Sequence, residues 1–101
     1  MKHLCYYCNQ ELIKNIVLIT FYTKKCVNCQ IEYHLDYNHK ITLIVLVCNI
    51  KNIYYKVLHN LQYNKIQIMA DHKEIIRYIG DYNTINPSNL EKKLRTILTF
   101  L

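Results

Sequence analysis

Glycine and proline are almost missing from this chain, one of each in 101 residues, and tryptophan is absent. A single glycine leaves no Gly-rich loop of the kind that cradles phosphates. No HExxH pair occurs, and the five histidines are scattered. The strongest apolar run, ITLIVLV at residues 41–47, has the length of a buried strand and is far too short to cross a membrane as a helix. The opening, MKHLCYYCNQ, has no apolar segment followed by a small-residue cleavage site. The expectation is a cytoplasmic or otherwise intracellular protein with no membrane association, no small-molecule substrate and no enzymatic activity. His34, Asp36 and His39 lie close together, but a polar group flanking a turn is more often solvated surface than acid–base machinery.

What is present points to a sheet. Hydrophobic residues make up 51% of the chain, with fifteen Ile and ten Tyr among them. Both types favour strands. Eleven Asn residues cluster where turns are needed. The formal charge of +6 is spread over both halves. It falls to about +4 when four thiolates hold a zinc ion. Such mild basicity suits phosphates, an acidic partner or plain solubility.

Four of the five cysteines form two CxxC units, C5-Y-Y-C8 and C26-V-N-C29. Two residues between ligands let a tight turn aim both thiolates at one ion, and two such turns supply the tetrahedral sulfur set of structural zinc. The expected cofactor is therefore one structural Zn²⁺ on Cys5, Cys8, Cys26 and Cys29. With all four positions filled by sulfur, no coordination site remains for catalysis. A mixed site recruiting His3, His34 or His39, an iron–sulfur cluster and redox-active dithiols are the competing assignments. Cys48 has no partner spacing and reads as core.

This arrangement resembles a zinc ribbon over roughly residues 3–35. The family's knuckles read CPxCG, whereas Asn9 follows Cys8 here and Gln30 follows Cys29. The resemblance implies two knuckles at hairpin ends. It does not choose among nucleic-acid binding, a place in a larger assembly and a plain staple. The remainder resembles small phage or viral proteins with a four-cysteine knuckle and a short C-terminal helix, which would place the chain in a host cell's cytoplasm.

The fold class expected is α+β and sheet-rich: zinc-ribbon-like hairpins, an antiparallel sheet and a C-terminal amphipathic helix. Residues 1–35 form the zinc module and residues 36–101 the β-rich body, packing as one unit. Residues 11–22 read as one or two strands with a turn at Lys14–Asn15. Residues 31–35 alternate with period two, residues 36–40 turn, and residues 41–48 form the central strand. Residues 53–58 alternate again, 59–65 form a loop or loose hairpin, and 66–69 a short strand. Residues 71–79 fit either a helix opened by Asp71 and Glu74 and closed by Gly80 or the second strand of a hairpin, with a lean to the strand. A helix starts with Asn86 as N-cap and Pro87 at N1. Its stripe is Leu90, Leu94, Ile97, Leu98 and Leu101, which docks on the sheet or on a partner subunit.

Two functions follow as expectations. The first is a protein-interaction or structural component of a larger assembly, or a self-associating one, suited by tyrosines and apolar stripes. The second is a nucleic-acid-binding accessory, with Lys14, Lys24, Lys25, Tyr6 and Tyr7 as the contact residues.

Overall fold

Period-two alternation organises the chain from residue 31 onward, and each alternating run becomes a strand. A computed structural model describes residues 2–79 and 85–100. Seven strands, β1 (Ile13–Val17), β2 (Tyr22–Cys26), β3 (Ile31–Leu35), β4 (Ile41–Ile50), β5 (Ile53–Asn60), β6 (Lys65–Ala70) and β7 (Lys73–Ile79), form one antiparallel sheet in chain order. Among the described residues one helix, α1 (Leu90–Thr99), follows. Residues 71–79 are the turn and strand of a hairpin, as the alternation favoured. Gly80 and Leu101 lie outside the described residues.

Register decides which side chains share a face. Tyr33 pairs with Ile44, Ile44 with His59, and His59 with Ile66. The neighbouring row runs Leu46, Val57, Ile68 and Ile76. Helix α1 covers this inner face at β4. Leu90 and Leu94 are buried there, and Ile97 and Leu98 pack on the same core. Burying each such aliphatic side chain contributes about 1.5–3 kcal/mol. Cys48 lies at this face as a free thiol, and burial pushes its pKa up.

The turns explain how so Gly-poor a chain forms hairpins. Two-residue turns that match strand twist need left-handed backbone at both positions. Lys51 and Asn52 supply it with φ of 50° and 67°, and Asp71 and His72 with 46° and 71°. Asn64 and His39 do the same elsewhere. Asn, Asp and His bear this conformation better than most residues. Lysine does not, so Lys51→Gly is expected to raise stability by about 0.5–1 kcal/mol. Denaturant titration of the zinc-loaded protein would check this. An unchanged or lower midpoint would contradict the account of the turn.

Two local expectations are corrected. Lys14–Asn15 is not a turn. Both residues lie within β1, and the chain reverses at Leu18–Phe21, where the Leu18 N–H donates to the Phe21 carbonyl at 2.9 Å. Lys14 pairs directly with Lys24 in β2, and that pairing keeps the strand extended. The helix also starts later than its sequence suggests. Asn86 does act as a cap, its Oδ1 accepting from the Ser88 and Asn89 N–H groups at 3.0 and 3.1 Å. The turn it caps is closed by the Asn89 Oδ1, which accepts from Asn86 N–H. Regular helix begins only at Leu90, and Pro87 sits in the preceding turn instead of at N1.

Candidate metal centre and the adjoining basic pocket

The cysteines are delivered by two turns of the same shape. The first is the loop inside the Leu4–Glu11 bridge, where Asn9 N–H donates to the Cys5 carbonyl at 3.0 Å. The second links β2 to β3, where Gln30 N–H donates to the Cys26 carbonyl at 2.8 Å. In both turns the residue after the second cysteine is left-handed, Asn9 at φ 62° and Gln30 at φ 61°. That is where zinc-ribbon knuckles carry glycine. The sequence departs from the family pattern, but the backbone it calls for is kept.

The four Sγ atoms lie within 4.8 Å of one another. Cys5 and Cys29 are 4.0 Å apart, and Cys8 and Cys26 3.5 Å. A tetrahedron with zinc–sulfur bonds of about 2.3 Å has edges of about 3.8 Å. The separations bracket that value and far exceed a disulfide bond of about 2.05 Å. The cluster is thus suited to hold one Zn²⁺ in a structural role. Cys5 and Cys26 are buried, while Cys8 and Cys29 are half-buried.

Local dipoles and burial act on the thiols in opposite directions. A backbone hydrogen bond from Gln10 is the main cause lowering Cys8 to about 6. Burial raises Cys26, and it raises Cys29 to about 12. Burial thus favours the protonated thiol at both positions, and a divalent ion bound there would displace those protons.

Tyr33 is the supporting residue that sequence reasoning missed. It is fully buried in β3, and its hydroxyl lies 3.1 Å from Cys5 Sγ. Tyr6 N–H donates to that same oxygen at 3.0 Å, which turns the hydroxyl proton toward the sulfur. The Tyr6 ring stands edge-on to Tyr33. The available signal was the alternation of Ile31, Tyr33 and Leu35, because a tyrosine on a buried face needs a partner for its hydroxyl. Tyr33→Phe is expected to weaken zinc affinity about 10–100-fold while the fold persists. Competition with a chromophoric chelator would measure it. Wild-type affinity in the variant would remove Tyr33 from the site.

No histidine joins the sulfurs. His3 accepts from Lys24 Nζ at Nδ1 (2.9 Å) and donates from Nε2 to the His39 carbonyl (2.8 Å). The His34 ring stacks on Phe21 and meets Glu32 at 3.3 Å. His39 Nδ1 is 2.7 Å from the Tyr22 hydroxyl. The Asp36 Oδ1 accepts from Asn38 and Lys40 N–H groups and caps the turn. His34, Asp36 and His39 therefore have separate partners.

The five candidate contact residues separate. Lys14 and Lys24 face each other across β1 and β2 and line one pocket. Lys25 follows Lys24 in the strand and so points to the opposite face, where it pairs with Glu32. Tyr6 is at the metal centre, and Tyr7 packs on the core, its N–H donating to Cys5 Sγ at 3.5 Å. Period two in β2 and the knuckle geometry thus divide a patch that looked continuous in sequence.

No protein-family model matches this chain, and comparison with curated proteins and with solved structures gives no match. The likeness to zinc ribbons rests on the two knuckles, and no relative supports the likeness to phage or viral proteins.

Proposed function

We propose that this protein is a zinc-stapled interaction module whose β1 edge receives an extended segment of a protein partner. The observation that carries the reading is the state of that edge. All five residues of β1 are exposed, and Leu18 and Ile19 extend the apolar surface, with Ile19 at 98% exposure. An open strand edge offers unpaired N–H and C=O groups to another strand, and proteins commonly blunt such edges with charge. The other edge strand, β7, is blunted in that way by Lys73, Glu74 and Arg77. β1 carries only Lys14 among Ile13, Ile16 and Val17. The sheet face away from α1 supports the same reading. It has an aliphatic floor of Leu43, Val45, Leu58 and Met69, bordered by Glu32, His34, Lys56 and His72.

A photo-crosslinking residue at Ile19, introduced into the chain in its native cell, tests the proposal. A discrete protein adduct is expected at Ile19 and not at Tyr63, an exposed tyrosine at the β5–β6 turn. The same adducts at both positions would contradict it. The second reading, a nucleic-acid accessory, is supported by the convergence of Lys14 and Lys24. Salt-dependent binding of oligonucleotides that is lost with Lys14→Ala would favour it over the first.

A further inference from the structure

The sheet face away from α1 is not flat. Val45 on that face is only 6% exposed, although α1 packs against the opposite one. Register explains the depression. Glu32 pairs with Val45, and Val45 with Leu58, so the three form one row across β3, β4 and β5. Lys56, two residues before Leu58, points to the same face and pairs with Met69 in β6. Longer side chains at the ends of these rows, with His72 in the β6–β7 turn, wall a cavity of about 350 Å³ over the aliphatic floor.

The rim carries one fixed charge of each sign, Glu32 and Lys56. Glu32 meets His34 Nε2 at 3.3 Å, but burial pushes the His34 pKa down, so at neutral pH the imidazole leaves the Glu32 charge in place. Lys25 stands opposite Glu32 in β2 and is exposed, and among the described residues the two form no ion pair. Lys56 is half-buried, with its Nζ 5.7 Å from the centre of the Tyr54 ring. Among the described residues, neither Lys56 Nζ nor the His72 ring makes a hydrogen bond or an ion pair. Strands β3 and β5 are two spacings apart, about 10 Å, and the Glu32 and Lys56 side chains line the gap between them.

This pattern selects among ligand chemistries. A simple anion is repelled by Glu32 and a simple cation by Lys56. A hydrocarbon covers both charges without pairing either. A zwitterion with an apolar arm meets every wall. We infer that this pocket binds a free α-amino acid with an aliphatic side chain, its carboxylate toward Lys56 and His72, its ammonium toward Glu32 and its side chain on Leu43, Val45 and Leu58. The volume lies at the bottom of the range for small-molecule pockets, which suits a ligand of that size. The inference goes beyond the protein-partner reading. It uses the sheet face and not the β1 edge, so a failed crosslink at Ile19 leaves it standing.

The test is titration of the full zinc-loaded chain, followed by backbone amide shifts, with five probes: leucine, glycine, 4-methylpentanoate, 3-methylbutylamine and N-acetyl-leucine amide. Leucine is expected to saturate with a dissociation constant below about 10 mM and to shift amides of residues 43–45 and 56–58. Glycine lacks the apolar arm, and 4-methylpentanoate and 3-methylbutylamine each lack one charge. Each of these three should bind at least about tenfold more weakly than leucine. Equal binding of 4-methylpentanoate or 3-methylbutylamine would overturn the zwitterion assignment. Equal or tighter binding of the blocked residue would also overturn it, and would make the pocket a seat for a side chain of a protein segment.

Two variants separate the charges. Glu32 and Lys56 are both half-buried, so neither substitution removes a core side chain. Glu32→Gln should weaken leucine about tenfold and leave 4-methylpentanoate no weaker, because only the ammonium contact is lost. Lys56→Gln should weaken both ligands. Lys92→Ala, on the exposed side of α1, should change neither. No saturable leucine binding, or equal losses in Lys56→Gln and Lys92→Ala, would overturn the site.

Discussion

Stripping the zinc ion, or replacing Cys26 by serine, is expected to unfold the first three strands and both knuckles. Structural zinc sites contribute on the order of 10 kcal/mol to the folded state, more than a domain of this size has in reserve. Without the ion, the burial that raises Cys26 and Cys29 leaves protonated thiols packed within 4.8 Å of one another. Besides its contacts with Tyr33, the first knuckle's loop is tied by the bridge of Leu4 to Glu11 and a few backbone bonds. Hydrogen exchange would read the effect directly. Amides of residues 5–12 and 22–35 should lose protection on chelation, and those of β4 to β6 should lose least. Cys48→Ala, which removes a half-buried thiol from another part of the core, should keep both metal and protection. Retained protection in a metal-free sample would show that the ion is not what holds these turns.

The second large effect is expected at Leu94. Its side chain is fully buried, at the centre of the stripe that seats α1 on β4. Leu94→Ala removes those contacts and leaves a cavity that a docked helix cannot fully close. The expected loss is about 2–5 kcal/mol, seen as a lower denaturant midpoint with the zinc content unchanged. The comparison variant is Arg95→Ala, on the exposed side of the helix. Its ion pair with Glu91 spans 3.4 Å between exposed groups and contributes at most a few tenths of a kcal/mol. Equal losses in the two variants would mean that the helix is not anchored through Leu94.

Much of this architecture was legible because it rests on short-range patterns. The alternation of Ile31, Tyr33 and Leu35 sets the faces of β3, and the stripe from Leu90 to Leu98 sets the buried side of α1. Spacing alone marked the four cysteines. What the sequence hid depends on neighbours distant along the chain. Lys14–Asn15 looked like a turn until cross-strand pairing with Lys24 fixed it as strand. Asn86 has the hydrogen bonds of a cap, but its own N–H donates to the Asn89 Oδ1 and the regular helix begins only at Leu90. Adjacent Lys24 and Lys25 looked like one basic patch, although a strand sends them to opposite faces. The Tyr33 hydroxyl beside Cys5 comes from residues 28 apart, a proximity no local pattern encodes. The left-handed turns show a related limit. Glycine would have announced them, whereas Lys51, His72 and Gln30 adopt the conformation silently.

The central claim is that Cys5, Cys8, Cys26 and Cys29 hold one zinc ion with sulfur alone. X-ray absorption at the zinc edge of the purified protein tests it most directly. The predicted result is one zinc per chain with four sulfur neighbours at about 2.3 Å and no light-atom neighbour in the first shell. A shell with a nitrogen at about 2.0 Å would contradict it, because His3, His34 and His39 all have other partners in the fold.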